Sequence, residues 1–88
     1  MPRNNTCYFV TDGHRYARLE DALSDAAKRS YETQKHTSVF IYAPSREAAR
    51  NFGGDDAVRQ FELNLTRGTA EDAPLASINI GASVSLWG

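Results

Sequence analysis

The chain has 88 residues, of which ten are basic and eleven acidic, so its formal net charge is −1. A chain of this length buries only a small core, and we therefore expect a single α+β domain over residues 1–88 without a large enclosed active site. The balanced charge argues against a strongly basic nucleic-acid binder and against an acidic nucleic-acid mimic. The only cysteine, Cys7, excludes an internal disulfide and favours a cytoplasmic location. The sequence shows no pattern of a membrane span or of a signal peptide.

Two β-prone segments near the amino terminus flank an Asp-Gly pair. They cover residues 6–11 and 14–18, and the pair at 12–13 is typical of a two-residue type I′ turn. Such a turn predicts a hairpin in which Val10 lies opposite Arg15. The pattern leaves open which face of this hairpin is buried.

The next segment has apolar residues at helical spacing and charged residues largely on the other side, which predicts an amphipathic helix of about four turns. Its expected inner positions are Leu19, Leu23, Ala26, Ala27, Ser30 and Tyr31. Residues 37–43 then form a β-branched and aromatic run, which indicates a central strand that is apolar on both faces. Ser45 is a helix cap, and it predicts a short helix that stops at the glycine pair 53–54.

Two alternating segments predict two further strands. Phe61, Leu63 and Leu65 alternate with polar residues, which indicates a strand over residues 60–65 buried on one face. In the segment from Leu75 to Trp87 the even positions 76–86 are apolar, and the odd positions 77–85 are small and mostly hydrogen-bonding. The expected fold is therefore α+β, a mostly antiparallel sheet of about five strands in the order ββα-β-short helix-ββ, with one long amphipathic helix packed on one face.

No residue pattern points to a catalytic, cofactor or metal site. His14 and His36 lack the spacing of a metal site or a catalytic triad, and Cys7 is best explained as a small core residue. Asp55 and Asp56 follow two glycines but lack the further oxygen ligands that a divalent cation needs. We therefore expect a protein that is not an enzyme and that has no cofactor.

The polar side of the sheet is the candidate partner-binding surface, because the strip that the final strand adds to it lacks the Lys and Glu side chains that keep ordinary sheets apart. Its predicted members are Asn64, Ser77, Asn79, Ser83 and Ser85, with Trp87 as an interface anchor. The leading hypothesis is a small protein that binds another protein and blocks it sterically, as in the inhibitors that phages and mobile elements carry against a host defence complex. Pairing of two copies through the final strand, which gives a homodimer, is compatible with this hypothesis.

The alternative hypothesis is an accessory domain that binds nucleic acid. Aromatic side chains on a sheet, surrounded by arginines, stack bases in small RNA-binding and single-strand-binding modules. The candidate contacts are Tyr8, Arg15, Tyr16 and Arg18. The glycine-rich aromatic motif of RNA-recognition domains is missing from the sequence, so this hypothesis ranks second.

Overall fold

A computed structural model describes residues 5–68 and 73–81, and within them the fold is α+β, as the sequence predicts. The elements are β1 (Tyr8–Thr11), β2 (His14–Tyr16), α1 (Leu19–Thr33), β3 (Thr37–Tyr42), α2 (Arg46–Thr66) and β4 (Ala76–Ile80). The strands form one four-stranded sheet in the order β2-β1-β3-β4, and each neighbouring pair is antiparallel.

The first hairpin has the turn and the register that its sequence predicts. Asp12 and Gly13 have φ angles of 54° and 79°, and a type I′ turn requires positive φ at both of these positions. Val10 lies opposite Arg15. Since β2 and β3 both run antiparallel to β1, the helix α1 between them passes over β1.

One face of the sheet packs against the helices and forms the core. Its fully or almost fully buried members are Cys7, Phe9, Val39 and Ile41 from the sheet side, Ala22 and Ala26 from α1, and Ala48 from α2. The inner stripe of α1 agrees with the predicted one at Ala26 and Ser30, which are buried, but not at Tyr31, which is 74% exposed. Ala27 is also exposed, and Ala22 is completely buried instead. The Ser30 hydroxyl donates a hydrogen bond to the backbone oxygen of Lys35 (2.7 Å) and lies 3.4 Å from the backbone oxygen of Ile80, which fixes this side of α1 toward the sheet.

Arg29 connects α1 to the tip of the first hairpin. Its guanidinium donates to the hydroxyl of Thr11 (2.6 Å) and forms ion pairs with Asp12 (3.7 Å) and Asp25. Thr11 is completely buried, and its own hydroxyl donates to the backbone oxygen of Ser38 at 2.9 Å. These bonds fix the hairpin against α1 and β3, so β1 and β2 present their other face in a defined orientation.

The helix α2 contains a sharp bend at its two glycines. It begins with the predicted cap, since the Ser45 hydroxyl accepts a hydrogen bond from the backbone nitrogen of Ala48 at 3.1 Å. Gly53 and Gly54 have non-helical backbone angles, and Gly54 has φ 68° and ψ −149°, a conformation that is restricted almost entirely to glycine. The predicted stop at these glycines is therefore a bend, after which the chain resumes a helical conformation.

The strand predicted over residues 60–65 is wrong, because this segment is the second half of α2. Val58, Phe61 and Asn64 are its buried residues, and their spacing of three is that of a helix face. Leu63, which the alternation placed in the core, is 45% exposed. Phe61 instead packs in a second cluster with Ala49 and Val58, so burial follows the helical period and the sheet has four strands in the described residues.

The final strand has the predicted polarity over the part that the structure describes. In β4, Ile78 and Ile80 pack against the core, and Ser77 and Asn79 are exposed. Residues 82–88 lie outside the described residues, and with them the predicted positions Ser83, Ser85 and Trp87. Neither of the helices in the described part of the chain is long and apolar enough to cross a membrane.

Candidate binding surface on the open face of the sheet

We call the face of the sheet opposite α1 the open face, and in the strands that the structure describes it carries eight side chains. Pairing across the strands places them together, because residues that lie directly opposite each other share a face. They are Tyr8, Val10, Arg15, Ser38, Phe40, Tyr42, Ser77 and Asn79. None of these eight is acidic, and Arg15 is the only one with a charge.

Three of these side chains form an ordered aromatic and cationic cluster. The rings of Tyr8 and Tyr42 stack with a centroid distance of 5.4 Å and an interplanar angle of 13°. The guanidinium carbon of Arg15 lies 3.9 Å from the centroid of the Tyr8 ring. Since β1 lies between β2 and β3, Arg15 and Tyr42 approach this ring from opposite sides. Both faces of the Tyr8 ring are thus occupied within the protein.

The rest of the open face is apolar in the middle and polar toward β4. Phe40 is 37% exposed and lies opposite Val10 on one side and Ser77 on the other. The Ser38 hydroxyl donates a hydrogen bond to the side-chain oxygen of Asn79 at 2.8 Å. Ser77 and Asn79 therefore form a polar border beside an exposed aromatic ring.

A groove lies where the open face meets the second half of α2. It has a volume of about 480 Å³, and we call it the tyrosine groove because Tyr8 and Tyr42 line it together with Arg15. Its other wall includes Phe61 and Leu65. The bend at Gly54 makes this wall possible, since the first half of α2 packs in the core and the second half reaches the open face.

Asn64 is not on the sheet face where the sequence placed it. It lies on α2 and is only 3% exposed. Its side-chain nitrogen is close to the backbone oxygens of Ala73 (3.5 Å) and Pro74 (3.4 Å), and its oxygen accepts a hydrogen bond from Gln60 at 3.0 Å. The placement is wrong because residues 60–65 are helical, and Asn64 instead connects α2 to the segment before β4.

Of the four residues in the alternative nucleic-acid set, the structure brings only Tyr8 and Arg15 together on the open face. Tyr16 follows Arg15 in β2 and so points to the other face, where it packs against the core. Burial raises the pKa of the Tyr16 hydroxyl, and the hydrogen bond to Asp25 raises this pKa further. Arg18 immediately precedes α1, where its guanidinium lies 3.5 Å from the carboxylate of Glu20.

The two residues that the sequence interpretation missed are Phe40 and Tyr42. The run in β3 predicted a strand buried on both faces, which assigned these rings to the core. In the structure Val39 and Ile41 are completely buried, whereas Phe40 is exposed and Tyr42 is half-buried. A signal for this was present, since aliphatic residues alternate with aromatic ones along the strand.

The described residues hold no group of three or more His, Cys, Asp or Glu side chains placed to bind a metal ion. Cys7 is 8% exposed, and its thiol donates to the backbone oxygen of Ala48 at 3.4 Å. Burial raises the pKa of this thiol from 9.0 to about 11. The thiol is therefore protonated at neutral pH, whereas a nucleophilic cysteine needs its thiolate.

The raised pKa of Cys7 predicts a loss of stability at alkaline pH. A thiol with a higher pKa in the folded state contributes stability fully below the unfolded pKa of 9.0, and this contribution is lost as pH rises toward about 11. Between pH 8 and pH 10 we expect the free energy of unfolding to fall by about 1 kcal/mol more in the unmodified protein than in Cys7→Ala. Urea unfolding at both pH values measures this difference, and equal pH dependence of the two proteins would contradict it.

Comparison with protein-family models, with curated proteins and with solved structures finds no match. Function is therefore inferred from the open face itself. The fold and this surface define an α+β protein that exposes an aromatic, cationic sheet face bordered by small polar side chains.

Proposed function

We propose that this chain is a non-catalytic cytoplasmic protein that binds another protein through the open face of its sheet. The observation that supports this most strongly is the ordered cluster of Tyr8, Tyr42 and Arg15 beside the exposed ring of Phe40. Tyrosine, phenylalanine and arginine are enriched at protein interfaces, and tyrosine and arginine are common among the residues that dominate binding energy. Because the cluster is already ordered in the free protein, binding loses less side-chain entropy.

The proposed mechanism is steric. The open face covers a surface of the partner that a substrate or another subunit needs, and Ser77 and Asn79 form hydrogen bonds at its border. This is how a small inhibitor of the type carried by phages and mobile elements would block a host defence complex. Ser83, Ser85 and Trp87 belong to the same proposal from the sequence alone, since they lie outside the described residues.

The geometry favours a protein partner over nucleic acid. A base that stacks on an aromatic side chain needs a free ring face, and the Tyr8 ring, the one ring of the alternative set on this face, is already in contact with Arg15 and Tyr42. Single-strand binding also relies on several cations along the phosphate backbone, whereas the open face carries one. Tyr16 and Arg18 do not add to this face, since Tyr16 packs on the other side and Arg18 lies at the start of α1.

Photo-crosslinking from the open face tests the proposal. The photoreactive residue p-benzoylphenylalanine replaces Phe40 in one variant and Tyr31 in the other, and Tyr31 is a matched control because it is an exposed aromatic residue on α1. In native host cells we expect a discrete protein crosslink from position 40 and none from position 31. Adding Ser77→Lys to the position-40 variant should abolish the crosslink, while adding Ser24→Lys, an exposed serine on α1, should leave it unchanged.

The same experiment distinguishes two other ligands of the open face, a second copy of the chain and a nucleic acid. A crosslink between two copies of the chain identifies a homodimer, which light scattering then checks. A crosslink to nucleic acid, with affinity that falls steeply with salt, supports the alternative function. If position 40 crosslinks nothing, or if Ser77→Lys and Ser24→Lys behave alike, the open face is not the binding surface.

A further inference from the structure

The tyrosine groove combines aromatic and aliphatic walls with a single cationic side chain, Arg15. We propose that it receives an aromatic or aliphatic side chain of the partner protein that lies next to a carboxylate, and that Arg15 binds this carboxylate. This inference rests on the proposed function, because it names the partner chemistry that the open face selects.

The size and walls of the groove fit an apolar group. Its volume is about 480 Å³, which falls in the range of about 300–1,000 Å³ that small-molecule pockets occupy. The stacked rings of Tyr8 and Tyr42 form one side, and Phe61 and Leu65 form the other. Leu65 is 48% exposed, so a ligand that enters the groove would cover apolar surface that water now contacts. Burial of such surface is favourable without any specific bond.

The charges in and around the groove indicate that the ligand also carries a negatively charged group. Arg15 is the only charged residue in the lining, and among the described residues no carboxylate forms an ion pair with it. At the surface of α2, Glu62 is already neutralised by Arg46 at 2.9 Å. A ligand that matches this arrangement is mostly apolar and carries one negative charge near Arg15.

The position of Arg15 favours a carboxylate as that charge. Its guanidinium carbon lies 3.9 Å from the centroid of the Tyr8 ring, and the N–H groups of a guanidinium lie in its plane, where they can donate two parallel hydrogen bonds. A carboxylate accepts such a pair of bonds. Because the contact with the Tyr8 ring holds the guanidinium before the ligand arrives, less side-chain entropy is lost on binding.

A titration of the full ¹⁵N-labelled chain followed by NMR tests the inference with two probes that differ only in charge. The probes are N-acetyl-L-phenylalanine, which carries a carboxylate, and N-acetyl-L-phenylalaninamide, which carries none. We expect the carboxylate probe to shift the amide signals of Tyr8, Arg15, Tyr42 and Leu65 and to bind with a dissociation constant on the order of 1 mM. The amide probe should bind about five-fold more weakly, since an exposed charge-assisted contact adds little more than this.

Two variants and one control assign the effect to the groove. Arg15→Gln should make the two probes bind equally, and Leu65→Asn should weaken both by a similar factor. Arg50→Gln, which removes an exposed arginine from the first half of α2, should change neither affinity. The amide spectrum of each variant reports whether the fold is retained.

The outcomes separate this inference from the proposed function. Equal binding of both probes to the unmodified protein, shifts away from the groove, or no binding at all overturns the inference, while a crosslink from position 40 still supports protein binding by the open face. Uridine monophosphate serves as a further probe. If it shifts the same signals and binds with a lower dissociation constant than the carboxylate probe, the ligand of the groove is a nucleotide and the inference is wrong.

Discussion

Ile41→Ala is expected to lower the free energy of unfolding by about 3 kcal/mol. Ile41 is completely buried and is the largest fully buried side chain in the described core. Its removal from between the sheet and the helices leaves a cavity in addition to the lost apolar burial. A chain of 88 residues has a total stability of about 4 to 13 kcal/mol, so this one truncation removes a large fraction of it. Urea or thermal unfolding followed by circular dichroism measures the change.

The neighbouring residue Phe40 is the matched control for Ile41. It belongs to the same strand but to the open face, where it is 37% exposed. Phe40→Ala should therefore reduce stability by only about 1 kcal/mol, mostly through lost cross-strand contacts with Val10 and Ser77. Similar losses for the two variants would mean that both faces of β3 are closed, and the open face would then not exist as a binding surface.

Gly54→Ala is expected to lower the free energy of unfolding by about 2 kcal/mol. At φ 68° and ψ −149°, an L-residue is strained by about 1 to 3 kcal/mol. A β-carbon added at this glycine would meet no atom within 4 Å. The expected loss is therefore a backbone effect and not a steric clash with the surroundings, and denaturant unfolding of the variant measures it.

A D-alanine at the same position provides a control that separates backbone conformation from packing. The backbone angles of Gly54 are the mirror image of the polyproline II region, which a D-residue adopts without strain. The chemically synthesised chain with D-alanine at position 54 should be at least as stable as the unmodified protein. The added methyl group restricts the unfolded chain, so less conformational entropy is lost on folding. If L- and D-alanine destabilise equally, the bend is not held by the positive φ of this glycine.

The bend at Gly54 connects stability to the proposed binding surface. Phe61 and Leu65 reach the tyrosine groove only because α2 changes direction after its first half. A straight continuation of the helix from Ala48 would place them elsewhere. We therefore expect Gly54→Ala to weaken binding of the carboxylate probe as well as stability, while the D-alanine chain should retain both.

The parts of the fold that the sequence predicted correctly depend on local chemistry. The Asp-Gly pair determined the hairpin because few residues adopt two consecutive positive φ angles. Ser45 marked the start of α2 because its hydroxyl can satisfy a free backbone nitrogen of the first turn. Alternation in β4 predicted correctly that Ile78 and Ile80 face the core and that Ser77 and Asn79 face outward.

The strand predicted over residues 60–65 shows where local patterns become ambiguous. Phe61, Leu63 and Leu65 fit a period of two, but Phe61 and Leu65 also fit a helical spacing of four. Six residues are too few to distinguish the two periods. The helical reading was available from Ala57 and Val58, which extend the apolar face by one further turn.

The sequence by itself determined the first hairpin, the start of each helix, the antiparallel character of the sheet and the division of β4 into an inner and an outer side. Each of these depends on interactions between residues close in the chain or on a period that one segment contains. Only the tertiary structure decided which face of the hairpin is buried, because Tyr8 and Phe9 are equally suited to a core until α1 packs on one side. The same packing left Phe40 and Tyr42 on the open face and brought Arg15 onto Tyr8, since contacts between distant strands depend on the whole arrangement of the sheet.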